Sequence, residues 1–297
     1  MELKQKAGLK IGLLVSGGLG LHCLTEITRH FDVRFVLTNK SSTEIIQFCE
    51  QMQISCFVGN PRKSDHRKIT GQSEIDLLFS INYLYLIEED LIRLPKIAAL
   101  NIHGSLLPKF RGRTPHVWAI IQGEKYTGIT VHHIEAACDT GDIVHQEKIE
   151  ILPKHTGADI LDIFALRYPE IVLGILKKIS LGEELPRIEQ DESQASYFGK
   201  RTPEDGQINW DKSAQEVVNW VRAQSHPYPG AFTFYEGNKV IIDEVCEVRE
   251  EIDSETGTPG EIILNGETPL VRVKDGFVRV LRFRDKIPNF GQDAHFN

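Results

Sequence analysis

Short apolar runs alternate with amphipathic segments over the first two-thirds of the 297-residue chain, and this alternation limits the fold more than any other feature. The apolar runs have the length and composition of buried strands, and they lie at 10–15, 33–38, 55–59, 75–80 and 98–103. The segments between them have helical patterns, at 21–30, 43–51 and 88–94. Because strands that alternate with helices form parallel sheets covered on both faces, we predict an α/β fold with a doubly wound, mostly parallel sheet.

A different pattern follows a long predicted helix at 158–180 and a charged stretch at 182–200, which fits a linker. One helix is predicted at 213–223, and several short strand-like runs separated by Gly, Asn and Asp come after it. Short strands in succession are typical of a small β-barrel or sandwich. We therefore predict two domains, an α/β domain over 1–200 and a smaller, β-rich, barrel-like domain over 201–297.

Composition argues against several classes of protein. Hydrophobic residues make up 41% of the chain and charged residues 26%, which is ordinary for a globular protein and argues against disorder. No apolar run approaches the roughly 20 residues that span a bilayer, so we expect no membrane partner. The net charge of −8 disfavours nucleic-acid binding, and five cysteines without paired spacing indicate a reducing cytoplasm.

A glycine-rich turn, V-S-G-G-L-G, follows the first predicted strand. The dinucleotide pattern G-x-G-x-x-G needs a third glycine where Cys23 stands, and the second strand ends at Thr38 without an acidic residue to hold a ribose. A nicotinamide cofactor is therefore disfavoured. Gly17 and Gly18 either open a helix whose backbone N–H groups bind an anion such as a diphosphate, or they form a tight turn that serves packing alone.

The segment from Asn101 to Ile149 contains the residues with the clearest chemical function. Asn101 and His103 lie two apart at the end of a predicted strand, so their side chains point to one side of the sheet. An amide can donate to an oxyanion, and an imidazole can exchange protons near neutral pH. Asp139 lies in a later loop beside Gly141, where it would either orient His103 or cap its own backbone.

Three cations lie in one loop after this strand, at Lys109, Arg111 and Arg113. They either face solvent or hold an anionic ligand. A metal centre is disfavoured, because the adjacent His132 and His133 point to opposite faces of a predicted strand and no C-x-x-C or H-E-x-x-H pattern occurs.

Three ordered blocks resemble the formyltransferase family that uses 10-formyltetrahydrofolate. The blocks are N-I-H-G-S-L-L-P-K-F-R-G-R-T-P, T-G-I-T-V-H-H-I and D-T-G-D-I-V. The resemblance implies that Asn101, His103 and Asp139 form the catalytic triad, that 10-formyltetrahydrofolate is the formyl donor, and that no metal is needed. It further implies contacts to the folate from a set of residues in three loops: Tyr85, Leu86, Ile87, Arg113, Ala137 and Cys138.

Two acceptor amines fit this family, a nucleotide-linked amino sugar and the methionine of a charged initiator tRNA. From residue 201 onward the chain has 11 lysines and arginines against 17 aspartates and glutamates, a net charge of −6. A tRNA-binding barrel should be basic, because phosphate contacts dominate nucleic-acid affinity. The block S-L-L-P-K-F-R-G-R-T-P is also more similar to enzymes that act on 4-amino-4-deoxy sugar nucleotides.

We therefore expect N-formylation of an amino-sugar nucleotide for polysaccharide or glycan synthesis, with methionyl-tRNA formylation as the alternative. The diphosphate of such a substrate is expected near Gly17 and Gly18 or near Lys109 and Arg111. The strand-rich C-terminal domain could offer a surface for a homodimer.

Overall fold

The structure, a computed structural model, describes residues 7–63, 65–249, 257–265, 268–286, 288–291 and 293–297. The chain divides into two compact units. The first unit consists of Met1–Gly112, Gly128–Ile149 and Asp162–Tyr197. The second unit consists of Arg113–Thr127, Glu150–Leu161 and Phe198–Asn297.

Strands and helices alternate along the first half of the chain, and strands dominate the end. The strands are β1 Ala7–Val15, β2 Phe31–Thr38, β3 Ser55–Val58, β4 Leu77–Ile81, β5 Ala98–His103, β6 Arg111–Gly112, β7 Tyr126–His133, β8 Ile143–Glu150, β9 Tyr197–Phe198, β10 Ala231–Tyr235, β11 Asn238–Val248, β12 Ile262–Asn265, β13 Thr268–Val273 and β14 Gly276–Phe283. The helices are α1 Gly17–His30, α2 Thr43–Gln51, α3 Arg67–Thr70, α4 Glu89–Ile92, α5 Pro115–Ile121, α6 Gly157–Ser180 and α7 Ala214–Ala223. Two short 3₁₀ turns lie at Glu192–Gln194 and Pro203–Gly206.

A seven-stranded sheet with the order β3-β2-β1-β4-β5-β7-β8 forms the framework of the first unit. The pairs from β3 to β5 are parallel, and β7 runs antiparallel to β5. This confirms the predicted mostly parallel sheet. The strand order reverses at β1, between β2 and β4, and ligands of such sheets bind outside the carboxyl ends of the strands.

Strand β1 shows why the apolar runs are continuous rather than alternating. Four of its residues, Ile11, Leu13, Leu14 and Val15, are fully buried, because both faces of the sheet are covered. Leu14 belongs to an apolar cluster that we call the sheet cluster. Its members are Leu14, Phe35, Leu37, Ile75, Leu78, Leu91 and Ala99.

The second unit contains a five-stranded antiparallel sheet with the order β10-β11-β14-β13-β12, which forms a half-barrel. Residues of α7, including Val217 and Val221, share one apolar core with residues of this sheet such as Ile242 and Val271. The predicted β-rich character of the C-terminal part is therefore confirmed. Within the described ranges, no helix has both the length and the apolar character that crossing a membrane requires.

The predicted linker at 182–200 is wrong for much of its length. Ile188 bridges to Ile143 of β8, and the two-stranded sheet β6-β9 joins this segment to the loop after β5. Most residues of the segment are exposed and many are polar or charged, which is why its sequence has the composition of a linker.

Candidate active site

Two predicted site residues lie at the carboxyl end of β5, in the middle of the sheet. Asn101 pairs in register with Ser80 of β4 on one side and with His132 of β7 on the other. His103 is 7% exposed. The next residue must be glycine, because a Cβ at Gly104 would lie 2.5 Å from Cε2 of Phe164.

The imidazole of His103 is oriented by the loop that follows it. Its Nε2 lies 2.8 Å from the carbonyl oxygen of Phe110, so this nitrogen donates its hydrogen to the backbone. Phe110 has a left-handed backbone (φ 61°), and its own N–H donates to Oγ of Ser196 at 2.9 Å. The other ring nitrogen, Nδ1, faces Oδ1 of Asp139 at 3.8 Å. Nδ1 is therefore the nitrogen that can exchange a proton with a bound substrate.

The side chain of Asp139 is 9% exposed, and hydrogen bonds to its carboxylate hold it in place. Oδ2 accepts from the N–H of Gly112 at 2.8 Å and from the thiol of Cys138 at 3.2 Å. Burial alone would raise the pKa of Asp139, but the nearby imidazoles of His103 and His132 and the hydrogen bond from the Gly112 N–H together hold that pKa well below its usual range. Asp139 is therefore a carboxylate at neutral pH.

A fourth polar side chain, His132, completes the cluster, a position that its sequence context, weighed only for metal binding, did not predict. It is 2% exposed, and its Nδ1 donates to the carbonyl of His133 at 2.7 Å. Its Nε2 therefore accepts from Nδ2 of Asn101, at 3.1 Å, and lies 3.5 Å from Oδ1 of Asp139. Asn101, His103, His132 and Asp139 thus form one polar cluster, which we call the β5–β7 cluster.

The neighbouring histidine has different surroundings. His133 lies 3.4 Å from a guanidinium nitrogen of Arg187 through its Nε2. Burial and the positive charge of Arg187 lower the pKa of His133 to about 4, so this ring is neutral at pH 7. Within the described part of the chain, no group of three or more His, Cys, Asp or Glu side chains is arranged to hold a metal ion.

The three loop cations differ in their surroundings. Arg111 is fully buried, and its guanidinium donates to Gln190, Glu192 and Tyr197. The side chains of Lys109 and Arg113 are exposed, and Arg113 belongs to the second unit. An anion could therefore reach Arg111 only if its bonds to the protein were exchanged.

Two of the three loops predicted to contact the folate pack against the sheet cluster. Ile87, from the first loop, and Ile134, which precedes the loop of Ala137 and Cys138, both pack against this cluster. Ala137 and Cys138 are exposed, and Leu86 is 55% exposed.

Two aromatic rings lie in the first of these loops. The rings of Tyr83 and Tyr85 meet edge to face with centroids 5.6 Å apart. The hydroxyl of Tyr83 is buried and has no hydrogen-bond partner among the described residues. An apolar wall with an unsatisfied polar atom suits a heteroaromatic ligand.

The glycine-rich turn forms the start of α1. Gly17 has φ 62° and donates its N–H to Oγ of Ser42 at 3.0 Å. The first turn of this 14-residue helix has no acidic residue, and Gly17 and Gly18 are exposed. Ser16 is 2% exposed, and its hydroxyl has no partner among the described residues. Such a helix start favours a bound anion.

Comparison with protein families identifies both parts of the chain. Residues 21–171 match the formyl transferase family, and residues 200–288 match the formyl transferase C-terminal domain. Together these matches cover more than half of the sequence.

Solved structures share the fold across nearly the whole chain. WlaRD, a sugar 3N-formyl transferase solved in the presence of dTDP and 5-N-formyl-THF, has a TM-score of 0.71 at 19% identity, over 94% of this chain and 99% of its own. An N-formyltransferase from Helicobacter canadensis, in complex with folinic acid and dTDP-3-aminofucose, has a TM-score of 0.66 at 19% identity, over 93% and 99%. HypX from Aquifex aeolicus, in complex with tetrahydrofolic acid, has a TM-score of 0.61 at 20% identity, over 93% of this chain and 44% of its own.

Proposed function

Because the chain belongs to the formyl transferase family, we propose that it transfers a formyl group from 10-formyltetrahydrofolate to the primary amine of a nucleotide-linked amino sugar. One observation carries the proposal: the β5–β7 cluster places an amide, two imidazoles and a carboxylate together at the carboxyl end of β5. This is the set of groups that acyl transfer to an amine requires.

Asn101 acts on the oxyanion that forms when an amine adds to the formyl carbon. An amide NH₂ has two hydrogens, and the bond to His132 uses one of them. The second hydrogen donates to the oxyanion, while the bond to His132 fixes the direction of the amide. One such donor lowers the barrier by about 3–4 kcal/mol.

His103 moves the proton that the amine must lose. Its Nε2 hydrogen is committed to Phe110, so Nδ1 takes the proton from the attacking amine and returns it to the leaving nitrogen of the folate. Asp139 stabilises the imidazolium that forms in between, because its carboxylate faces Nδ1. General acid–base assistance of this kind is worth roughly 10²–10⁴-fold in rate.

The donor site is proposed on the loop that contains Tyr85, Leu86 and Ile87 and on the loop of Ala137 and Cys138. The shared apolar cluster and the unsatisfied hydroxyl of Tyr83 support a heteroaromatic ring there. Two of the similar solved structures contain folinic acid or 5-N-formyl-THF, and a third contains tetrahydrofolic acid. The predicted contact from Arg113 remains a proposal.

An amino-sugar nucleotide is the better acceptor on grounds of charge. The net charge of −6 from residue 201 onward disfavours the acceptor stem of a tRNA. Two structural neighbours, WlaRD and the Helicobacter canadensis enzyme, were solved with dTDP or a dTDP-linked amino sugar.

The diphosphate of this substrate is proposed at the start of α1. Exposed backbone at Gly17 and Gly18 and the buried, unpaired hydroxyl of Ser16 support an anion there. Lys109 is the second candidate, since its side chain is exposed. Diphosphate binding by Arg111 stays a prediction, because its guanidinium donates hydrogen bonds to Gln190 and Glu192.

A direct assay tests the proposal. Purified protein is incubated with 10-formyltetrahydrofolate and, in separate reactions, with dTDP- and UDP-linked amino sugars and with methionyl initiator tRNA. Mass spectrometry of the products should show an N-formylated sugar nucleotide. Formylation of the tRNA alone would reverse the choice of acceptor, and no formylation of any amine would contradict the proposed activity.

A further inference from the structure

We infer that Gln190 is a positioning residue that sets the distance between the loop that holds His103 and the loop that contains Asp139. This inference rests on the function proposed above. Gln190 is 6% exposed, although both of its neighbours, Glu189 and Asp191, are exposed. A buried amide is stable only where its donors and acceptor are hydrogen-bonded, so its four bonds show what it is built to hold.

The amide nitrogen of Gln190 fixes the turn that presents Asp139. Nε2 donates to the carbonyl of Asp139 at 2.9 Å and to the carbonyl of Gly141 at 2.7 Å. Asp139 has a left-handed backbone (φ 59°), a conformation that non-glycine residues adopt rarely and that contacts must maintain. Gly141 lies directly against the carbonyl of His133, where a Cβ would overlap the backbone. The turn is therefore held between β7 and Gln190.

The amide oxygen of Gln190 fixes the other loop through Arg111. Oε1 accepts from Nε of Arg111 at 3.2 Å and from Nη2 at 2.7 Å. The same guanidinium donates to Glu192 and Tyr197, so its plane is fixed on three sides. A planar guanidinium bound in this way cannot rotate without breaking several bonds at once.

Arg111 lies between the two backbone groups that contact the site. The residue before it, Phe110, accepts the Nε2 hydrogen of His103 at 2.8 Å. The residue after it, Gly112, donates its N–H to Oδ2 of Asp139 at 2.8 Å. One side-chain amide therefore fixes the backbone on both sides of the imidazole.

Loss of this amide should affect the chemical step rather than substrate binding. Without it, no Gln190 hydrogen bond joins the two loops, so the 3.8 Å separation between Nδ1 of His103 and Oδ1 of Asp139 is no longer fixed. The proposed donor residues Tyr85, Leu86 and Ile87 and the proposed diphosphate site at Gly17 and Gly18 lie outside the two loops that Gln190 joins, so the KM values should change much less than kcat. Misplacement of a catalytic group by about 1 Å can cost roughly 10²-fold in rate.

The experiment compares Gln190→Met, which keeps the length of the side chain but removes the amide, with the wild-type protein. Gln194→Met is the matched control, because Gln194 is an exposed glutamine of the same segment that donates to Asp191. We expect kcat of Gln190→Met to fall about 10–100-fold, with both KM values within about threefold of wild type. Amide hydrogen exchange at Gly112 should become faster in this variant and stay unchanged in Gln194→Met.

An unchanged kcat in Gln190→Met, or a loss confined to KM, would overturn the inference. If Gln190→Met fails to fold, Gln190→Glu decides by the same criteria, because it keeps the acceptor for Arg111 and loses both donors. If the wild-type protein formylates no amino sugar, the proposed function fails on its own. Exchange at Gly112 then still decides: faster exchange supports the positioning role, and equal exchange overturns it.

Discussion

Each unit of this molecule contains a buried carboxylate, and the two are held in opposite ways. In the second unit, Asp243 is 5% exposed and accepts three hydrogen bonds from Arg284, the shortest of which is 2.6 Å. In the first unit, Asp139 faces His103 at 3.8 Å and His132 at 3.5 Å. The first pair joins permanent charges at short range, whereas the second joins a carboxylate to rings that can gain and lose protons.

The Asp243–Arg284 pair is therefore suited to stabilising the fold, whereas Asp139 and its two imidazoles are suited to proton transfer. Arg284 also donates to the carbonyls of Tyr228 and Pro229, so the Asp243 pair fixes a loop within the second unit. Asp139 instead leaves Nδ1 of His103 without a short bond, which allows a substrate proton to reach it.

Replacement of His103 by alanine should abolish most turnover. The variant loses the group proposed to move the proton, and general acid–base assistance is worth roughly 10²–10⁴-fold. Steady-state kinetics with an amino-sugar nucleotide measures the loss, and circular dichroism checks that the fold persists. Turnover near the wild-type rate would mean that another group moves the proton.

Replacement of Asn101 by alanine removes the proposed oxyanion donor. We expect kcat to fall roughly 10²–10³-fold, because the lost hydrogen bond strengthens only as charge develops on the formyl oxygen. Asn101→Asp is the matched variant, since it keeps the size of the side chain and loses the NH₂ group. A rise in KM with kcat unchanged would assign Asn101 to binding instead.

Replacement of Asp243 by alanine should lower stability and leave the chemistry intact. Removal of one partner from a buried pair costs about 3 kcal/mol, the lower end of the usual range, since the Arg284 side chain is 26% exposed. Urea denaturation measures the free energy of unfolding. The value of kcat per folded molecule should match the wild type, and a large drop in kcat would remove the distinction between the two carboxylates.

The pH dependence of stability should differ between Asp139→Asn and the wild type. The pKa of Asp139 is lowered in the folded state, so its ionisation stabilises the fold above the unfolded pKa, which is about 3.9. That contribution is lost as the pH falls from about 4 toward the folded pKa. Thermal unfolding between pH 7 and 3 should therefore show a wild-type advantage that is constant near neutrality and shrinks below about pH 4. If the stability advantage of the wild type over Asp139→Asn grew as the pH fell, the lowered pKa of Asp139 could not be its cause.

Local sequence patterns were enough to predict the sheet and the positions of Asn101 and His103. The strand Ala98–His103 was predicted with its observed bounds, because its apolar run is continuous and ends in polar residues. Since side chains two apart share one face of a strand, their common direction followed from spacing alone.

Residues that enter the site through long-range pairing could not be predicted in this way. His132 reaches Asn101 only because β7 runs antiparallel to β5 in one particular register, and a register of this kind is set by tertiary packing. Gln190 lies in an exposed, charged segment whose composition is that of a linker. The guanidinium of Arg111 donates to Glu192, which lies about 80 positions further along the chain.

Single-turnover kinetics of wild type and His103→Ala measures directly whether His103 moves the proton during formyl transfer. Each protein is loaded with 10-formyltetrahydrofolate, mixed rapidly with the amino-sugar nucleotide, and quenched at successive times to follow the N-formyl product. We expect the transfer step itself to slow by roughly 10²-fold or more in His103→Ala, while donor binding is retained. An unchanged transfer step in the variant would contradict the assignment of the proton to His103.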